Sequence, residues 1–178
     1  MFGLFKSAAP GIKVIDKVWM SKEAKLSACV DLLRVNSTCL FVAWFEETFQ
    51  ELQQLLNPQK DKVNLILAAS LNADVMQNHI VVFAEHHPLA KVEQTLFSTL
   101  GLVDVPILSS LDEPFFHTFG GERIIDLMKK MGLKENEVLG HPMITRAIHN
   151  AQESIAKRAT TNLSAISQKD WLATNMRY

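Results

Sequence analysis

The chain has 178 residues, a length that suits one domain around one hydrophobic core, and its composition, 48% hydrophobic and 21% charged, is typical of a globular protein. Its 18 basic and 19 acidic residues give a net charge of −1. Nucleic-acid binders neutralise phosphates with an excess of Lys and Arg, so we expect no nucleic-acid partner. The longest apolar run, over residues 39–45, is far shorter than the ~20 residues of a membrane-spanning helix.

Two features of the sequence favour the cytoplasm. Residues 1–10 are interrupted by Lys6 and lack the continuous apolar stretch of a secretory signal. The two cysteines, Cys29 and Cys39, each lie in an apolar segment, as buried thiols do in proteins of a reducing compartment. We therefore expect a cytoplasmic protein with no integral membrane segment.

Short β-rich runs alternate with helical periodicity up to residue 108. Strands are predicted at residues 13–18, 39–43, 63–68, 79–83 and 104–108, and helices at 22–33, 46–56 and 89–100, the first of them capped by Ser21. The strands at 63–68 and 79–83 are almost continuously apolar, which is typical of strands covered by helices on both faces. The order predicts an α/β fold with a three-layer parallel sheet.

The rest of the chain reads as a C-terminal helical extension. Helices are predicted at 112–119, 122–131 and 142–158, and Asp112 and Glu113 lie where carboxylates complement the dipole of the first one. The segment 159–178 is polar and has weak periodicity. We expect one domain over 1–178, made of a sheet core (12–110), a helical extension (111–158) and a tail (159–178).

The carboxyl edge of the predicted sheet is where α/β proteins bind ligands, and Glu85, His86 and His87 follow the strand 79–83 there. Neither a G-x-x-x-x-G-K-[ST] nor a G-x-G-x-x-G loop occurs, so no cofactor is expected. H-E-x-x-H and paired Cys and His are also absent; no metal is expected, and the histidines are predicted to be exposed or to order the loop. An enzyme of unrelated chemistry stays open, because carboxylate and imidazole groups could meet at this edge. Its candidate residues are Asn72, Asp74, Glu85 and His87.

From residue 119 the chain reads FGGERIIDLMKKMGLKENEVLGHPMITRAIHNAQESIAKR. This stretch resembles the segment after the second motor domain of SecA-type translocase ATPases. The family's segment contains, in order, FGSDRI, a short helix, Gly-Met or Gly-Leu, a loop with Glu, the pair HP, and a helix containing AQ. The resemblance implies a RecA-like fold of the helicase C-terminal type, without a phosphate loop. The positions in register are Phe119, Gly120, Arg123, Ile124, Gly132, Glu137, His141, Pro142, Ala151 and Gln152.

Upstream of residue 119 the resemblance is weaker. His79-Ile80-Val81 and Glu85-His86-His87 are similar to the family's HVI and TERHES, with His86 in place of an arginine. Leu67-Ala68-Ala69-Ser70 is similar to the strand that leads into the family's TNMAGRGTD element. With this upstream part, the resemblance covers roughly residues 12–158.

The nucleotide elements of the family are largely lost. Only Asn72-Ala73-Asp74 remains of TNMAGRGTD, and Phe97 and Thr99 stand where QLRGRSGRQGD would place arginines against a nucleotide. An arginine finger is worth ~10³ to 10⁵ in rate, and neither side chain can replace it. The resemblance therefore implies a scaffold that does not hydrolyse ATP. The vestige of its site is Asn72, Asp74, Glu85, His87 and Thr99.

Two further functions follow from this resemblance. The first is a non-catalytic protein-binding or regulatory module, with another protein or a second copy of the chain as partner. Ile144, Ile148 and Ile155, at helical spacing on 142–158, are its partner-binding candidates, although the same stripe would equally cover the domain's own core. The second is an auxiliary half-motor that completes a nucleotide site in trans with a P-loop translocase or helicase.

Overall fold

The computed structural model describes residues 11–56, 64–118, 121–140 and 142–177. Five strands form a single sheet, in which every pairing is parallel. They are β1 (Lys13–Trp19), β2 (Cys39–Ala43), β3 (Leu65–Leu67), β4 (Ile80–Phe83) and β5 (Asp104–Ser110), in the spatial order β1-β5-β4-β2-β3. The predicted α/β fold is thereby confirmed.

Helices connect the strands and continue the chain after β5. They are α1 (Lys22–Val35), α2 (Glu46–Leu56), α3 (Ala73–Met76), α4 (Ala90–Thr99), α5 (Pro114–His117), α6 (Gly121–Lys130), α7 (Pro142–Arg158) and α8 (Gln168–Asn175). The hydroxyl of Ser21 accepts a hydrogen bond from the Ala24 N–H (3.2 Å), so Ser21 is the N-cap of α1, as predicted. Among the described residues no helix has the length and apolarity that crossing a membrane requires.

Both faces of the sheet are covered, because alternate side chains of β2 point to opposite sides. Phe41 packs in a cluster with Cys29 of α1 and Leu52 of α2. Leu40 packs in a second cluster with Phe97 of α4. All five residues of β2 are buried, which explains why this strand is continuously apolar.

A third cluster covers the carboxyl edge of the sheet. Val18, at the end of β1, packs with Phe115 of α5, Ile148 of α7 and Trp171 of α8. Val18 also exchanges two backbone hydrogen bonds with Leu139, in the loop before α7 (3.2 and 2.7 Å). The helical extension and the tail therefore lie over the edge at which α/β sheets usually bind ligands.

Several element boundaries differ from the sequence predictions. The helix predicted at 112–119 is reduced to α5, because β5 continues to Ser110 and a turn precedes Pro114. Helices α3 and α8 were not predicted. Val63, Phe119, Gly120, His141 and residues 1–10, which entered the sequence predictions, lie outside the described residues.

Candidate functional site

The segment Glu85-His86-His87 leaves the carboxyl end of β4, at the centre of the edge that the helical extension covers. Its three residues are 4%, 2% and 7% exposed. The alternative that the histidines are exposed is therefore wrong, because α7 and α8 pack over this loop. Buried polar groups need hydrogen-bond partners, and the structure provides them.

Glu85 lies at the N-terminus of α2. Its Oε1 accepts hydrogen bonds from the backbone N–H groups of Trp44 (3.0 Å) and Phe45 (3.1 Å), and its Oε2 accepts one from the Thr48 hydroxyl (2.7 Å). The first helical N–H groups of an α/β protein are a common anion site. Here the carboxylate of Glu85, which follows β4, binds the N–H groups of Trp44 and Phe45 immediately before the first turn of α2. Burial raises the pKa of Glu85 to about 7, although the positive charge of Lys25 opposes the shift.

His86 bridges two carboxylates from different elements. Its Nε2 lies 3.0 Å from Asp16 Oδ1 of β1, and its Nδ1 lies 2.9 Å from Glu93 Oε1 of α4. Burial alone would lower the pKa of His86, but the charges and hydrogen bonds of Glu93 and Asp16 raise it to about 10. Burial alone would raise the pKa of Asp16, but the hydrogen bond and charge of His86, together with a hydrogen bond of Thr145, lower it. His86 is therefore an imidazolium that donates to both acids.

A second buried ion pair joins α1 to the turn before α5. Lys25 donates hydrogen bonds to the Glu113 carboxylate and to the Ala84 carbonyl (2.9 Å). Burial would lower the pKa of Lys25, but the charges of Glu113 and Glu85 raise it. Glu113 thus neutralises a buried cation. It lies at the N-cap position of α5, at a helix start as predicted, but its side chain makes no capping hydrogen bond there. The predicted dipole partner Asp112 instead accepts from the Lys22 N–H (2.9 Å) at the start of α1.

Two glutamines attach the C-terminal helices to this network. Gln152 of α7 donates to the His87 carbonyl (3.0 Å) and to Glu93 Oε2 (2.9 Å). Gln168 of α8 donates to the His86 carbonyl (3.3 Å) and accepts from the Phe115 N–H at the start of α5 (2.7 Å). At this edge the segments that begin α1, α2 and α5 each donate backbone hydrogen bonds to side chains from the chain itself.

A cavity of about 710 Å³ opens beside the loop. Its wall includes His87 and Thr99, two of the predicted vestigial residues, together with Trp44, Phe45 and Trp171. The His87 ring packs against all three aromatic rings, at centroid distances of 5.2, 6.0 and 5.5 Å. Burial lowers the pKa of His87 to about 4, so this ring is neutral at physiological pH.

The other vestigial residues are not brought to one site. Asn72 caps the short helix α3 by accepting from the N–H groups of Asp74 and Val75 (both 3.1 Å). Asn72 and Asp74 are exposed, and within the described part of the chain neither contacts Glu85 or His87 by a hydrogen bond. The carboxylates and the imidazole thus form no common constellation.

The stripe of α7 proposed for partner binding lies in the core. Ile144, Ile148 and Ile155 are 6%, 3% and 0% exposed and pack with Trp171 and Leu172 of α8. They present no patch to a partner in this structure, which agrees with the alternative that the stripe covers the chain's own core. The tail supplies that cover, and its role was not visible in the weak periodicity of 159–178.

The sequence predictions missed the partners of His86. Asp16 interrupts the apolar strand KVIDKVW, and Glu93 lies on the buried side of α4 next to Phe97. An acid inside a buried element needs a partner, so these positions carried a signal that a buried cation lies opposite them. In the ranges that the structure covers, no group of three or more His, Cys, Asp and Glu residues could hold a metal ion.

A five-stranded parallel sheet with helices on both faces is consistent with the second domain of RecA-like P-loop proteins. No family model matches the chain. Part of the chain is nevertheless similar to SecA.

The chain is 30% identical over 101 residues to the protein translocase subunit SecA of Acidithiobacillus ferrooxidans. The aligned region covers 54% of this chain and 11% of that protein. It is 27% identical over 132 residues to the same subunit of a Psychrobacter species, covering 72% of this chain and 14% of that protein. It is also 32% identical over 82 residues to the SecA subunit of Acinetobacter baylyi, and this region covers 44% of this chain and 9% of that protein. The chain thus contains a SecA-like segment and spans about a tenth of the length of these relatives.

Proposed function

We propose that this SecA-like chain is a non-catalytic module that binds or regulates another protein, in the cytoplasm, and does not hydrolyse ATP. The observation that carries the proposal lies at the carboxyl edge of the sheet. There the Glu85 carboxylate binds the N–H groups that lead into α2, and the helical extension covers the strand ends. A protein partner is favoured because the relatives are protein translocase subunits. The buried free thiols of Cys29 and Cys39 fit a reducing compartment.

Electrostatics oppose a phosphate at the start of α2. Two like unit charges 4 Å apart repel by about 4 kcal/mol at the effective dielectric of 20 that suits sites near a protein surface. That energy corresponds to roughly a thousandfold loss of affinity. The Glu85 carboxylate also already accepts the hydrogen bonds of the Trp44 and Phe45 N–H groups and of the Thr48 hydroxyl, which are donors at the start of α2.

The positions of the family's arginines are also unsuited to phosphate. Phe97 is fully buried and packs edge-to-face on Phe83, with ring centroids 4.9 Å apart. Thr99 is exposed, and its hydroxyl donates to the Thr95 carbonyl (2.7 Å) within α4. Neither side chain can stabilise the charge that develops during phosphoryl transfer.

The proposal is tested by calorimetric titration with ATP and ADP, with and without magnesium, combined with a phosphate-release assay. Measurements at pH 8 keep Glu85 ionised, because its pKa is about 7. The protein concentration must be high enough to detect a Kd near ~1 mM, about −4.1 kcal/mol. We expect neither binding heat nor phosphate release. Nucleotide binding with a Kd below 1 mM, or magnesium-dependent phosphate release, would overturn the proposal.

A second arm tests the auxiliary half-motor. The chain is titrated into an isolated P-loop motor domain of a SecA, and the ATP hydrolysis of that domain is followed. A non-catalytic module leaves the hydrolysis rate unchanged. A saturable increase would show that the chain completes a nucleotide site in trans, and would replace the proposed function by the half-motor.

A further inference from the structure

Helix α6 has two apolar sides, and only one of them faces the core. Ile124, Ile125 and Met128 pack against the cluster that covers the carboxyl edge. Leu127 and Met131 lie on another side and are 54% and 67% exposed, so no described part of the chain covers them. Side chains four residues apart on a helix are neighbours, so these two form one stripe. Single exposed apolar residues are common, but adjacent ones on a helix offer a contact surface.

The backbone at the end of α6 holds this stripe in place. Met131 follows the last residue of α6, and its N–H still donates to the Leu127 carbonyl (3.0 Å), as in a helix. Gly132 then adopts a left-handed φ of 79°, and the Leu133 N–H donates back to the Met128 carbonyl (3.2 Å). This is the Schellman motif that ends many helices. Leu127 and Met131 are therefore presented on a regular helical surface.

A row of two opposite charges borders the stripe on the side away from the core. Asp126 and Lys130 are both exposed and lie one helical turn apart. Among the residues that the structure describes, neither forms an ion pair. The exposed face of α6 thus combines an apolar stripe with an acid and a base that are both available to a partner.

The same face of a second copy of the chain is complementary to this one. In an antiparallel helix pair related by a twofold axis, each row of side chains meets the same row of the other copy in reverse order. An axis level with residue 128 places Asp126 opposite Lys130 of the other copy, and Lys130 opposite its Asp126. Leu127 then lies within one helical turn of both Leu127 and Met131 of the other copy. One arrangement therefore covers the apolar stripe and pairs both charges.

We propose that α6 is the contact of a homodimer, in which two copies of this helix pack antiparallel through Leu127 and Met131 and form two Asp126–Lys130 ion pairs. One helix pair buries less surface than the ~1,600 Å² of a standard interface, so the dimer is weak, with a Kd on the order of 100 μM. The proposal is independent of the function proposed above, because self-association needs neither a nucleotide nor another protein.

Sedimentation velocity between about 10 and 500 μM tests whether the chain associates with itself. We expect the average mass to rise with concentration from 20.0 kDa towards twice that value. Leu127→Asp should stay monomeric, because it places a carboxylate in the centre of the contact. Val35→Asp is the matched control, since Val35 is 87% exposed at the end of α1, and it should associate like the wild type. A wild type that is monomeric throughout, or equal loss in both variants, would overturn the proposal.

Two charge reversals at exposed positions test the antiparallel geometry. Asp126→Lys and Lys130→Asp each place like charges opposite one another in a homodimer, so each alone should associate at least about threefold more weakly than the wild type. In an equimolar mixture every base again faces an acid of the other chain, and the two variants should form a heterodimer. Mixing cannot repair the like-charge pair within each helix, so recovery must come from contact between chains. A mixture that associates no more tightly than either variant alone would overturn the proposed contact.

Discussion

Replacing Glu93 by Gln should destabilise the fold strongly, because three donors converge on this carboxylate. They are His86 Nδ1 and the His87 N–H at Oε1, and Gln152 Nε2 at Oε2. A glutamine keeps the shape but has one acceptor oxygen, so its NH₂ must face at least one donor. Removing one member of a buried ion pair costs about 3–5 kcal/mol. For a chain of this size that predicts a fall in Tm of roughly 6–20 °C.

The stability that Glu93→Gln removes should depend on pH in a defined direction. The pKa of His86 is about 10 in the fold, above its ordinary value of 6.5. The stability that its charge contributes is therefore fully present below pH 6.5 and is lost as the pH rises towards 10. Urea unfolding of the wild type and of Glu93→Gln is followed by circular dichroism. The difference between their free energies of unfolding should be largest near pH 6 and smaller at pH 10.

The matched control for this substitution is Glu153→Gln. Glu153 pairs with His149 at 3.3 Å on the exposed face of α7, so the same chemical change occurs where both partners are solvated. We expect its unfolding free energy to stay within about 0.5 kcal/mol of the wild type. A loss below about 1 kcal/mol for Glu93→Gln, or a loss that does not vary between pH 6 and pH 10, would refute the charged His86 network.

Two further substitutions test how the C-terminal elements are held. Asn175 is fully buried, and its side chain hydrogen-bonds both backbone groups of Leu163 (2.6 and 3.0 Å). Asn175→Ala should lower the free energy of unfolding by about 2–3 kcal/mol and accelerate amide exchange at Leu163. The control Asn150→Ala, at an exposed position, should change neither quantity. Unchanged exchange at Leu163 would contradict this anchoring. Ile155→Ala should cost about 2–5 kcal/mol in urea unfolding, because it empties a core position, whereas exposed Ile166→Ala should cost less than about 0.5 kcal/mol. If the Ile155 variant is as stable as the wild type, the α7 stripe is not core.

The sheet could be predicted from the sequence because its signal is local. The strands β2 and β4 are short apolar runs, each followed by a helix with period 3.6, and the bounds of β2 and α2 agree with the predictions. Helix α8 carried no such signal. Its buried face mixes Trp171 and Leu172 with Gln168 and Asn175, which are buried because their amides are hydrogen-bonded, so the apolar periodicity is lost.

The site could be predicted only in position. Glu85, His86 and His87 were expected at the carboxyl edge, and they lie there. Their burial depends on partners far along the chain, since Asp16 lies 70 positions before His86 and Gln168 lies 82 positions after it. Hydrophobic periodicity does not encode such pairings, because it reports which face of an element is buried and not which polar groups meet inside.

The covered edge and the proposed absence of nucleotide chemistry depend on the same contacts. Gln152 lies in the stretch that most resembles the SecA pattern, and here its amide holds α7 onto the loop after β4. Phe97, where the resemblance would place an arginine, packs in the core behind that loop. Phe97→Arg would therefore bury a cation without a partner. Point substitution would therefore not rebuild a phosphate site. The carboxylate of Glu85 would still occupy the start of α2, and α7 and α8 would still cover the edge.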